Sequence, residues 1–122
     1  MNSKSFKKFK KWHSFNTKTL TSIPDEAGVY LLKYYRKFGR LKGFSDILYI
    51  GKSTSGLKSR LSFYFKPGLT QYTSQRVSEF LKGHSGIQIS FVKNSNPRAL
   101  EKRLIKEYFK YHRELPPLNR SK

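Results

Sequence analysis

Apolar residues fall along this chain in two rhythms, one of period two and one of helical period. Gly28 to Tyr35 and Ile47 to Gly51 are short, dense runs of β-branched and aromatic residues, the signature of strands. Ile87, Ile89 and Phe91 alternate with Gln88 and Ser90, with Lys93 close behind, which predicts a third strand with one buried face. Leu57, Leu61 and Tyr64 form the apolar stripe of a helix that Ser53, Thr54 or Ser55 can cap and that runs to about Phe65, where Pro67-Gly68 ends it. A second helix spans Ser74 to Lys82 and packs through Val77, Phe80 and Leu81, and Gly83 and Gly86 bracket the turn after it. Asn96 as N-cap and Pro97 at the first helical position open a last helix that reaches about His112, before the chain closes on Pro116-Pro117-Leu118-Asn119. The sum is an α+β fold, a small mixed sandwich in which a three-stranded, mainly antiparallel sheet is flanked by helices.

The 122 residues suffice for one modest core and not for two. Residues 1–19 are rich in lysine, with Phe6, Phe9, Trp12 and Phe15 at every third position. At 100° per residue those four rings spread over about 180°, a poor amphipathic stripe, so the segment is expected to be a basic aromatic arm. Its rings are available to stack on bases or to dock on the domain, which occupies residues 20–122. Between the first two strands, Arg36 to Asp46 carries Lys37, Arg40 and Lys42 and two glycines. It is too long for a tight hairpin, and a basic finger on nucleic acid and a merely solvated loop fit it equally.

The last helix contains one misplaced charge. With Leu100 set at 0°, Leu104, Ile105, Tyr108, Phe109, Tyr111 and His112 fall within about 0–180°, the buried arc. Lys102, Arg103, Lys106, Glu107, Lys110, Arg113 and Glu114 fall on the opposite side, where Glu107 reads as a dispensable surface ion pair with Arg103 and Lys110. Glu101 sits near 100°, inside the apolar arc, where a carboxylate must be compensated. A salt bridge to Arg98 or Arg60, a metal ion, or a phase error that leaves it exposed would each account for it.

Charge narrows the partners. Lys and Arg number 26 against 7 Asp and Glu, a net +19 that calls for a polyanion. Lys37, Arg40, Lys42, Lys58 and Lys66 are the candidate phosphate contacts. Cysteine is absent and His13, His84 and His112 are scattered, which excludes disulfides, cysteine nucleophiles and thiolate sites and argues against zinc; any metal must take oxygen ligands. No apolar run has the length of a membrane span and the N-terminus lacks a secretory signal, so a cytoplasmic protein without a membrane partner is expected. Charge alone predicts binding and not cutting, and a ribosome-associated protein would share it.

The triplets Gly28-Val29-Tyr30 and Tyr49-Ile50-Gly51, followed by Lys52, supply the chemistry. Each places a tyrosine on an apolar strand, and Gly51 removes a side chain where a phosphate could approach. Followed by an arginine on the next helix, a carboxylate on a late helix and an asparagine near the end, they resemble the GIY-YIG nuclease family over roughly Ile23 to Asn119. Ile23-Pro24 and the run Arg60-Leu61-Ser62-Phe63-Tyr64-Phe65 are most similar to the incision domain of bacterial excision repair. The resemblance implies that Tyr30 and Tyr49 are the paired tyrosines, Lys52 the basic residue after the second glycine, Arg60 the helix arginine and Tyr64 the aromatic group one turn later. Glu101 would be the metal carboxylate and Asn119 the asparagine that steadies the site.

Magnesium, or manganese in its place, accepts one carboxylate plus substrate phosphate oxygens, so Glu101 alone could hold it. Arg60 could grip the scissile phosphate through two hydrogen bonds. Tyr30, Tyr49 or Lys52 would orient or deprotonate the water, and each would need a strongly lowered pKa to act as a base. The expected protein is a stand-alone, metal-dependent endonuclease with a single active site, nicking one strand of double-stranded or branched DNA per event. It would act as a monomer or homodimer without a small-molecule cofactor. The rival is a catalytically silent basic protein that binds DNA or RNA on the same scaffold.

Overall fold

The computed structural model describes residues 4–66 and 72–120, so Pro67-Gly68, expected to stop a helix, lies outside the described residues. In chain order the elements are α1 (Lys4–Lys7), β1 (His13–Ser14), α2 (Thr17–Leu20), β2 (Gly28–Gly39), β3 (Phe44–Ser53), α3 (Leu57–Ser62), α4 (Tyr72–Gly83), β4 (Gln88–Lys93) and α5 (Pro97–His112). The sheet is antiparallel with strand order β1-β4-β2-β3, four strands where the sequence pattern shows three. β1 escapes the pattern because two residues cannot display a period.

Alternation along the strands builds two cores. Tyr30, Leu32, Tyr49 and Ile89 turn to one face and pack with Leu57, Leu61, Tyr64 and Val77 of the α3–α4 layer. Val29, Leu31 and Ile50 turn to the other face and meet Leu100, Leu104, Ile105 and Tyr108 of α5. Leu32 pairs with Tyr49 but Lys33 with Ile47, so Leu48 is an extra residue in β3, a bulge beside Tyr49.

Residues 4–19, expected as an arm, are laid on this sheet. Phe9 is buried in the α5 core with Phe6 and Trp12 against it, Phe15 is buried in the opposite core, and β1 between them covers the β4 edge. Lys33 Nζ stands 4.2 Å above the Trp12 ring. Of the two roles open to these aromatics, docking is the one the fold uses.

The expected basic finger at 36–46 is a hairpin instead. Tyr34, Tyr35 and Phe38 favour extended backbone, so β2 continues to Gly39, β3 begins at Phe44, and only residues 40–43 turn, with Gly43 in the left-handed region (φ 72°). The turn is fixed to the end of α5. Arg40 forms an ion pair with Glu114 at 3.0 Å and donates to Leu115 O, while His112 and Lys42 bond reciprocally, main chain to main chain (3.1 Å) and His112 Nδ1 to Lys42 O (2.9 Å).

The α5 boundaries and its Asn96 cap agree with the sequence, Asn96 Oδ1 accepting from Ala99 N at 3.4 Å. Two of its expected exposures are reversed. Tyr111 is exposed, and Glu107, expected in a surface ion pair, has one carboxylate oxygen buried without a hydrogen-bond partner.

Candidate active site

Pairing of β2 with β3 sets Tyr30 opposite Gly51 and Leu32 opposite Tyr49, so both tyrosines rise from the same sheet face, their ring centroids 6.0 Å apart. A Cβ on Gly51 would overlap the Tyr30 phenol and the Tyr49 ring. Glycine is therefore required for the two rings to meet, whatever approaches from outside.

α3 brings the next two groups. It is shorter than its stripe suggests: after Ser62 the chain tightens into three-residue turns, with Tyr64 N donating to Leu61 O at 3.1 Å, and these turns carry Tyr64 inward. None of Ser53, Thr54 and Ser55 caps it. Gly56 occupies the cap position, and Asp25 supplies the missing acceptor from outside, taking Ser59 N at 3.0 Å and Ser59 Oγ at 2.8 Å. Those two bonds, the backbone one first, hold the Asp25 carboxyl below its ordinary range. No local pattern links Asp25 to Ser59, so the sequence does not reveal this cap.

Tyr30, Tyr49 and Tyr64 form a closed triangle of rings, Tyr64 lying 6.1 Å from Tyr30 and 6.3 Å from Tyr49. The hydroxyls of Tyr30 and Tyr64 are hydrogen-bonded to each other, and the Tyr49 ring meets Tyr64 edge-on. Arg60 lies over the Tyr64 ring, 5.0 Å from its centroid, and donates from Nη1 to Ser74 Oγ at 3.0 Å. Ser74, buried in the first turn of α4, is a site residue the sequence reading missed; fourteen positions from Arg60, it is tied to it only by the fold.

Burial raises the pKa of all three phenols, Tyr30 and Tyr64 strongly. This is opposite to the downward shift a phenolate base requires, so at neutral pH they are hydroxyl donors. Burial would pull the Arg60 pKa down, but the surrounding Tyr30, Tyr64 and Tyr49 oxygens reverse the sign, and Arg60 keeps its charge. Only Tyr49 retains any surface, 9 % against 0 % for Tyr30 and Tyr64.

Glu101 completes the group. Its partner is neither Arg98 nor Arg60 but Lys52 on the neighbouring strand, with Lys52 Nζ 3.2 Å from Oε1. Both are partly open, with side chains 19 % and 32 % exposed respectively. The carboxylate lies near enough to the phenols to add to the rise at Tyr30 and Tyr49. Asn119 acts through the backbone: Oδ1 accepts from Ile50 N and Nδ2 donates to Ile50 O, both at 3.0 Å, while Leu118 N donates to Leu48 O at 3.0 Å. The C-terminal segment thereby closes the free edge of β3 between Tyr49 and Gly51.

The five candidate phosphate contacts do not form one surface. Lys58 and Lys66 are exposed on or just beyond α3, the helix that carries Arg60. Lys37 and Lys42 are exposed at the far end of the hairpin, Lys37 seven strand residues, or about 23 Å, from Tyr30. Arg40 is turned inward onto Glu114, which corrects its assignment as a phosphate contact.

A four-stranded antiparallel sheet between two helical layers, with two strand tyrosines, a helix arginine and a late-helix carboxylate near one edge, defines an α+β domain with a polar site. The chain has the GIY-YIG fold. Two solved structures of the GIY-YIG N-terminal endonuclease domain of UvrC from Thermotoga maritima resemble it. The magnesium-bound form has 27 % identity and a TM-score of 0.53, covering 84 % of this chain and 93 % of that one. A point mutant bound to its catalytic divalent cation has 26 % identity and a TM-score of 0.54, covering 85 % and 93 %. No protein-family profile and no curated protein matches the chain.

Proposed function

We propose that this protein is a metal-dependent DNA endonuclease that hydrolyses one phosphodiester bond per event. The observation that carries the reading is the Glu101 carboxylate, held by Lys52 beside a triangle of buried phenols and a charged arginine, in a fold shared with a divalent-cation-bound endonuclease domain.

The donor set decides which ion fits. The Glu101 carboxylate is the anionic donor here, and among the described residues no cluster of three or more His, Asp or Glu side chains could hold a metal unaided. That suits magnesium or manganese, which tolerate one protein carboxylate with water and phosphate completing the shell, and does not suit a tightly held zinc. Glu101 would hold the ion, with Lys52 fixing Oε1 and Oε2 the atom offered. A bound cation supplies positive charge against the developing phosphorane and acidifies nearby water.

The residues divide the remaining work. Arg60, oriented by Ser74 and the Tyr64 ring, binds a non-bridging phosphate oxygen as its charge grows. Tyr49, the one phenol with surface, directs its hydroxyl to substrate or water, whereas Tyr30 and Tyr64 are positioning residues that hold Tyr49 and Arg60. Asn119 positions Tyr49 by fixing the Ile50 peptide. Lys58 and Lys66 meet phosphates flanking the cut.

A silent nucleic-acid binder is the second reading, favoured by the Lys52–Glu101 pair, which neutralises the acid without any metal. Supercoiled plasmid with magnesium separates them. The expected result is conversion to nicked circles, stopped by a chelator, with Glu101→Ala at least about 100-fold slower, equivalent to roughly 3 kcal/mol of barrier, and DNA affinity retained. Wild-type protein that binds but never nicks would establish the silent reading.

A further inference from the structure

The outer face of α5 presents an unbroken line of cations to solvent. Arg98, Lys102, Lys106 and Lys110 stand four residues apart along one ridge, all exposed. The helix spaces them in axial steps of about 6 Å, over a run of about 18 Å. The near end of the ridge passes Glu101 and Lys52, with which it lines one open strip of surface. Among the described residues, none of the four cations has an ion-pair partner. The acids of the same helix do not offset them: Glu101 is matched by Lys52, and Glu107 keeps one carboxylate oxygen buried.

This arrangement works against the helix that carries it. Like charges at i,i+4 repel, and the ridge holds three such pairs in succession. Arg98 stands in the first turn of α5, where the helix dipole favours acids, and that turn contains none. Helix stability therefore explains neither the single sign nor the placement, and a solvated face would serve as well with acids interleaved. A polyanion laid along the ridge reverses both effects. Its class follows from what accompanies the cations. Ile105 is buried in the α5 core, and Phe109 is half-buried and already in contact, so the strip offers charge and no open ring face. A single strand uses such faces for its bases, whereas a duplex turns its bases inward and presents phosphates to a cationic ridge. We infer that the α5 ridge carries one strand of a DNA duplex flanking the bond that is cut. With one phosphate per about 3.4 Å of axis along each strand, a run of about 18 Å spans about five nucleotides. The contacts are to backbone, so they hold the duplex beside Glu101 without reading its sequence. The inference rests on the nuclease reading above and adds to it the place and extent of the bound flank.

The test measures binding without cutting. Two blunt duplexes of unrelated sequence are titrated in chelator by fluorescence anisotropy at several salt concentrations, with an oligothymidine of the same length as competitor. In the Lys102→Ala/Lys106→Ala protein the slope of log affinity against log salt is expected to fall by about 1.8, two duplex phosphate contacts, with the same fold loss of affinity on both sequences. Lys102→Gln/Lys106→Gln, which keeps longer side chains, gives the same change. Both ridge variants remove all three like-charge pairs, so they melt no lower than wild type and a loss of binding is not a loss of fold. Lys18→Ala/Lys82→Ala removes the same charge from exposed positions on the opposite helical layer and leaves the slope at its wild-type value. A slope unmoved by the ridge substitutions, or lowered equally by the Lys18/Lys82 pair, overturns the proposal. So does an oligothymidine that competes as well as duplex for wild type and loses that ability in the ridge variants, which assigns the ridge to a single strand. Plasmid nicking with magnesium is scored separately: nicking with an unmoved slope sinks this inference alone, whereas a lowered slope without nicking sinks the nuclease reading and leaves the ridge as a duplex-binding surface.

Discussion

At the scale of single residues, the Tyr64 hydroxyl is the link on which the site depends. It bonds the Tyr30 hydroxyl, and its ring packs on Tyr49, in a pocket that excludes water from two of the three rings. Tyr64→Phe removes one oxygen and no packing volume, yet it strands the buried Tyr30 hydroxyl. That orphaned group is expected to cost about 1–3 kcal/mol in urea unfolding. Tyr49→Phe removes a hydroxyl from the one ring of the three that keeps some surface and leaves the Tyr30–Tyr64 bond intact, and is expected to cost less. A larger loss at Tyr49 than at Tyr64 would contradict the hierarchy. The same burial keeps the phenols protonated in alkaline solution, so they serve as donors throughout the working range.

At the scale of elements, the end of α5 is locked to the β2–β3 turn through a buried histidine. Burial lowers the pKa of His112, the bond to Lys42 O and the charge of Glu114 oppose that effect, and Arg40 adds to it. With the folded pKa below the unfolded value of 6.5, the unfolded chain takes up a proton that the fold refuses. The contribution is therefore complete above about pH 6.5 and lost as pH falls through the folded pKa. Thermal midpoints between about pH 7.5 and 5 should fall more steeply for the wild type than for His112→Asn, whose amide can donate to Lys42 O without titrating. Parallel curves would remove His112 from the account. This lock also marks the limit of what the sequence discloses. Strands β2, β3 and β4 and helix α5 are legible because their burial repeats at a fixed period, and Glu101 is conspicuous because it breaks one. Arg40 with Glu114, Asp25 with Ser59 and Arg60 with Ser74 carry no such mark, since each pair is brought together by the fold across an arbitrary sequence distance. β1 is too short to have a period, and the β2 extension was concealed by the basic residues interleaved with Tyr34, Tyr35 and Phe38.

At the scale of the whole molecule, residues 1–19 offer a contest between charge and burial. They hold six lysines and no acid, so their removal takes the net charge from +19 to +13 and relieves self-repulsion, which by itself would stabilise the remainder. They also bury Phe9 and Phe15 in opposite cores and close the β4 edge through β1. Two such rings are worth roughly 3–6 kcal/mol as an upper bound, of which the entropy of ordering the segment takes back a part. Burial exceeds the repulsion of six dispersed surface charges at physiological salt, where the screening length is about 8 Å. A chain beginning at residue 20 should therefore unfold at a lower temperature than the full protein, and the deficit should persist in high salt, where repulsion is screened in both. A free arm gives the opposite pattern: an unchanged midpoint and a loss confined to DNA affinity. Phe9→Ala combined with Phe15→Ala in the full-length protein distinguishes the two without altering charge, because only a docked segment loses stability when its rings are removed.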